Sequence, residues 1–162
     1  MRRLFPAFAL VLSLCPLHAA AQRVEHLIGD AYAPLAGSWG PVGGFVIGGA
    51  DAEFAATIHK DVFSNRYLLT LERFARREPN GEVVWTILDA VEIGEVPDGY
   101  VPAMTTCEQN GTPSNEIIAI VHDLDADWLT VVQSAWRANP RTGRIEALPV
   151  RGIRCSNEGS GD

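Results

Sequence analysis

Residues 122–127 read HDLDAD, placing the carboxylates of Asp123, Asp125 and Asp127 at every second position. Oxygens at that spacing are how a loop gathers ligands around a hard cation such as calcium. Counted from Asp123, the sixth position is Trp128, where such a loop needs glycine, and the twelfth is Ser134, where it needs a bidentate glutamate. The three aspartates are therefore weak metal candidates. The segment reads first as an acidic turn kept in water by its charges, and no metal is expected. Glu72 and Asp89 offer a second kind of chemistry. A hairpin closing on Asn80-Gly81 as a two-residue loop would set them opposite each other. A buried carboxylate pair raises one pKa, as a general acid requires, so they are weak catalytic candidates. A one-residue bulge would separate them, and Pro79 favours one.

Other catalytic patterns are missing. His26, His59 and His122 stand in unrelated settings, and no serine has the G-x-S-x-G context of a hydrolase nucleophile. Gly43-Gly44 and Gly48-Gly49 lack both the Lys-Ser/Thr of a phosphate loop and G-x-G-x-x-G spacing. No cofactor is expected.

The cysteines have a clearer role. Arg2 and Arg3, an apolar run to Leu17 and the small residues Ala19-Ala20-Ala21 describe a secretory signal peptide over residues 1–21. The run is shorter than the roughly 20 residues of a membrane span. Cys15 leaves with it. Export through the general secretory route, into the periplasm or beyond, puts Cys107 and Cys155 in an oxidising compartment, where paired cysteines become disulfides. One bridge closing about 49 residues is worth roughly 4 kcal/mol in the chain-entropy treatment. Neither cysteine has the CxxC or Cys/His neighbours of a zinc site.

Removing residues 1–21 from the 162 leaves 141, enough for one domain with its own core. The formal net charge of −7 becomes −9, because the removed segment carries two arginines and no acid. An acidic chain suits neither nucleic-acid phosphates nor anionic lipid, so neither nucleic acid nor membrane insertion is expected.

The elements that must position these residues are mainly β. Residues 22–44 are rich in Ala, Gly and Pro without a period and read as a loosely ordered lead-in. Residues 45–162 form the expected domain: a single antiparallel sheet built from two hairpins, with one short helix near residues 52–63. Residues 66–93 form the first hairpin, turning at Asn80-Gly81. Apolar residues on both faces of 83–91 mark a strand covered on both sides. Residues 128–138 and 144–150 form the second hairpin; helix competes for 128–138, but Thr, Val and Trp favour strand. Between the hairpins, residues 94–114 hold too many Pro, Gly and Asn for a regular element and read as a long loop tethered by the disulfide.

Cys107-Glu108-Gln109-Asn110-Gly111, Ile117–Val121, Ala135-Trp136-Arg137, Thr142-Gly143-Arg144 and Gly152-Ile153-Arg154-Cys155-Ser156-Asn157-Glu158-Gly159 together resemble a group of small exported bacterial proteins of uncharacterised function. The likeness covers about residues 67–159 and implies a bacterial periplasmic setting, with no activity or cofactor attached. Together these readings point to a non-catalytic binding or accessory protein acting on another envelope protein. Its expected partner surface is Tyr100, Val101, Met104, Glu108 and Gln109 of the tethered loop, with Asn157 and Glu158 of the tail. The alternative is a small hydrolase using carboxylates. Intact mass of the exported protein should match a chain beginning at Gln22; residues 1–21 retained in a membrane fraction would refute the leader reading.

Overall fold

A computed structural model describes residues 22–32, 35, 37–48 and 52–157. The expected signal peptide and Glu158 lie outside the described residues. Fourteen strands are described: β1 (Gln22–Arg23), β2 (Ala31–Tyr32), β3 (Trp39–Ile47), β4 (Phe54–Asp61), β5 (Arg66–Arg77), β6 (Val83–Glu95), β7 (Tyr100–Met104), β8 (Cys107–Gln109), β9 (Thr112–Pro113), β10 (Ile117–His122), β11 (Trp128–Leu129), β12 (Val132–Asn139), β13 (Arg144–Leu148) and β14 (Ile153–Ser156). The fold is mainly β and every pairing is antiparallel. It is built of three sheets where one was expected. The first runs β1-β6-β5-β4-β3, with β2 also on β6; the second runs β13-β12-β10-β7; the third runs β11-β14-β8-β9.

The second sheet is the middle layer. Ile118 and Ile120 of β10, with Trp136, Ala138 and Ile145, pack on Ile58, Leu69, Leu71 and Val91 of the first sheet. Ile117, Ala119 and Val121 face the other way, onto Cys107, Leu129, Ile153 and Cys155 of the third. Alternating side chains of a strand point to opposite faces, so a strand covered on both sides must be apolar throughout. Residues 117–121 meet that condition, and all five are fully buried.

The first hairpin forms where expected, as β5 and β6. Its turn differs from a two-residue loop. The Gly81 amide donates to the Glu78 carbonyl, the Glu78 amide donates to the Glu82 carbonyl, and Gly81 has φ +88°. Three residues, Pro79 to Gly81, thus turn the chain and close on a glycine bulge. The second hairpin, β12 with β13, also forms as read, and residues 132–139 are strand. Trp128 and Leu129 leave that hairpin and pair with β14 instead.

Three expectations fail. Residues 54–61 are strand β4 and not a helix: Ala56 and Ile58 face the inner core while Thr57 and His59 share a face with Thr70 and Leu68 of β5. Sheet pairing on both sides overrides local preference there. Residues 22–32 lie along the β6 edge, and β3 begins at Trp39, so most of the lead-in is built into the first sheet. The long loop contains β7, β8 and β9. Asn110-Gly111, with φ +53° and +80°, joins β8 to β9 as a two-residue loop of the primed type that such dipeptides favour.

Edge strands carry proline. Pro41 is in β3, Pro102 in β7 and Pro113 in β9, each at an edge of its sheet. β3 is further broken by a bulge between Pro41 and Gly43.

Cys107 and Cys155 form the expected disulfide. They are direct cross-strand partners on β8 and β14 and are fully buried against the middle sheet. The bridge therefore joins the two central strands of the smallest sheet and does not restrain a free loop. Replacing both cysteines by serine should lower stability by about 3–4 kcal/mol, read as a fall in Tm, because a 49-residue loop is released in the unfolded state. An unchanged Tm would show that the sheet holds without the bridge.

Candidate functional site

The two carboxylates proposed as a pair end on opposite faces of one sheet. Asp89 lies across from Leu71, and Glu72 across from Ile87, with Leu88 as the extra residue of a bulge. Cross-strand partners share a face, so Asp89 joins Leu71 on the inner side and Glu72 joins Ile87 on the outer side. The bulge removes the geometry that the hydrolase alternative required.

Asp89 is buried and its oxygens are engaged. Arg23 approaches both of them, Nε to Oδ1 at 2.8 Å and an Nη to Oδ2 at 3.0 Å. The Ile145 amide donates to Oδ2 at 2.8 Å, and the Ala90 amide to Oδ1 at 3.1 Å. One carboxylate thus joins the N-terminal strand, β6 and the middle sheet. That is a structural brace.

Glu72 belongs to a polar cluster under the N-terminal segment. Leu68, Ile87, Ala90 and Leu35 form a small outer core, with Val24, Leu27, Tyr32 and Trp39 packed on it. Beside them the Tyr32 and Thr70 hydroxyls both donate to Glu72 Oε1. His59 Nε2 stands 3.0 Å from Thr70 Oγ1 and 3.9 Å from Glu72 Oε1. Thr70 has one proton, which the carboxylate takes, so the network assigns the His59 proton to Nε2. Nδ1 is then a buried acceptor with no partner among the described residues. Burial chiefly, and then the charge and hydrogen bond of Glu72, raise the Tyr32 phenol above its ordinary value, with the Thr70 and Thr57 hydroxyls opposing.

The cluster borders a groove of about 530 Å³ lined by Gly44, Phe45, Val46, Ala55, Thr57, Glu72 and Trp85. Sequence reasoning found Glu72 and missed Tyr32, Thr70 and Thr57, and gave His59 no role. The available signal was Thr70 and Glu72 at i and i+2 in the otherwise apolar run YLLTLE, opposite Thr57 and Ala55. Polar residues repeated on one face of a buried strand have to find partners there.

Of the remaining candidates, Val101, Met104, Asp123 and Asn157 line one groove of about 230 Å³. Asp123, Asp125 and Asp127 are exposed, and among the described residues no group of three or more His, Cys, Asp or Glu is placed to hold a metal. Their turn is fixed by main-chain bonds: the Asp123 amide donates to the Gly99 carbonyl, and the Asn157 amide to the Asp127 carbonyl. The expected partner surface is largely turned inward. Tyr100 and Met104 pack against the core between the first two sheets, and Val101 against the core beneath the third. Glu108 is buried and pairs at 2.6 Å with Arg154, which lies over the Trp128 ring. Gln109 and Asn157 are half-buried. The physical reason is that β7 and β8 are strands, so their alternate side chains enter a core.

Compared with protein-family models, curated proteins and solved structures, the chain matches none. No helix among the described residues is long and apolar enough to cross a membrane.

Tyr32→Phe removes one of two donors to a buried carboxylate oxygen and should cost roughly 1–3 kcal/mol at neutral pH. A phenol whose folded pKa is raised contributes stability fully present below its unfolded value near 10 and lost as pH climbs beyond it. Denaturant titrations should therefore show wild-type stability falling above pH 10 more steeply than that of Tyr32→Phe. Parallel curves would remove Tyr32 from the linkage.

Proposed function

We propose that this is an exported, non-catalytic accessory protein that binds another protein of the cell envelope. The observation that carries the reading is an apolar face at one end of the first sheet. Phe63 is 88% exposed, Val62 66% and Val42 55%. All three line one groove of about 680 Å³, with Gly40, Pro41, Lys60, Asp61, Ser64 and Asn65 around them. Grouped exposed apolar side chains with a polar rim are the usual composition of a recognition surface. An exposed phenylalanine is a costly choice for a turn unless a partner covers it. Among envelope components a protein surface is favoured because the chain is acidic, which disfavours anionic lipid and nucleic acid. The disulfide and the resemblance over residues 67–159 support the exported bacterial setting.

A photo-crosslinking residue at position 63, in protein exported by its native host, should capture one partner. The same residue at Arg141, which is also exposed, should not. Phe63→Ser should reduce capture by tenfold or more in untagged competition while leaving Tm unchanged. Equal capture from positions 63 and 141, or full competition by Phe63→Ser, would overturn the reading.

A further inference from the structure

We infer that the groove above Glu72 binds a primary alkylammonium group. The inference is independent of whether the Phe63 face has a partner. Glu72 is 1% exposed, and among the described residues its only basic partner is His59; no arginine or lysine among them pairs with it. Both hydroxyl donors, from Tyr32 and Thr70, use the same oxygen, Oε1. Oε2 makes no hydrogen bond among the described residues. The sealed, unpartnered side-chain atoms among those residues are His59 Nδ1 and Arg137 Nε alone, so Oε2 opens on the groove that Glu72 lines. A carboxylate held in a nearly dry site, with one oxygen fixed by neutral donors and the other bare, lacks a cation.

The surroundings select the kind of cation. A guanidinium fork is matched to two carboxylate oxygens, and here one is already taken. An ammonium is a compact charge with three donors, and Glu72 and Thr57, which both line the groove, offer it a carboxylate and a hydroxyl. Gly44 keeps that hydroxyl open, since a Cβ there would stand 3.2 Å from Thr57 Oγ1. Val46, Ala55 and Trp85 supply apolar and aromatic wall for the methylenes of an alkyl chain. The groove's 530 Å³ is room for a chain of several carbons.

Such a group arrives as a free amine or as a lysine side chain, and two probes separate these sources: cadaverine, and Nα-acetyl-lysine methylamide. Each is titrated calorimetrically into oxidised mature protein, with 1,5-pentanediol as the neutral analogue. At least one amine should bind at one site per chain, and the diol should not; the tighter amine identifies the source. Glu72→Gln keeps an oxygen for Tyr32 and Thr70 but turns an amide donor toward the groove, so it should weaken amine binding tenfold or more. Val46→Lys should abolish it by supplying an ammonium in cis. Val46 is 52% exposed and lies in the same cross-strand row as Ala55 and Glu72, so this variant still decides the matter if Glu72→Gln does not fold. No saturable binding by either amine, equal binding of the diol, or affinity unchanged in Val46→Lys would overturn the inference.

Discussion

The structure depends on burying β10 from both sides. Its five residues from Ile117 to Val121 have no exposed face, so neither neighbouring sheet can be dispensed with. Burying one isoleucine side chain is worth roughly 1.5–3 kcal/mol, and β10 contributes three of them. The first sheet is large and closed by long hairpins. The third has only four short strands, too few residues to persist alone in water. The apolar surface β10 offers holds it in place, and the covalent link between β8 and β14 keeps its two central strands together.

One extra residue gives two acids on the same hairpin opposite roles. Without the bulge at Leu88, Glu72 and Asp89 would share a face and repel. With it, Asp89 turns inward, where Arg23 and the Ile145 amide complete its bonding and lock the N-terminal strand to the middle layer. Glu72 turns outward into a pocket of hydroxyls that completes only half of its bonding. The difference in partners, and not in residue type, separates a brace from a binding group.

Much of this was legible where local pattern and tertiary pairing agree. The β5–β6 hairpin followed from Asn80-Gly81 flanked by β-rich runs, and the disulfide from two cysteines in a chain that reads as exported. The number of sheets was hidden because the all-apolar run of β10 says that both its faces are covered but not by which elements. The 94–114 stretch misled because its Pro and Gly punctuate strands of two to five residues, too short for a visible period. Tyr32 was invisible as a site residue: it comes from a segment with no periodicity and meets Glu72 only through pairing with Trp85.

Three sheets leave several open edges on one small molecule, and each edge is a template on which another copy could grow. The prolines of β3, β7 and β9 bear on that hazard. Proline offers no amide to an incoming strand, so Pro41, Pro102 and Pro113 each interrupt the ladder that edge-to-edge polymerisation requires. The bulge in β3 twists the same edge away from flat contact. A chain that assembles three sheets passes through states with unpaired strands. These prolines stay in place at every stage, so the barrier to fibre growth does not wait for the fold to be complete.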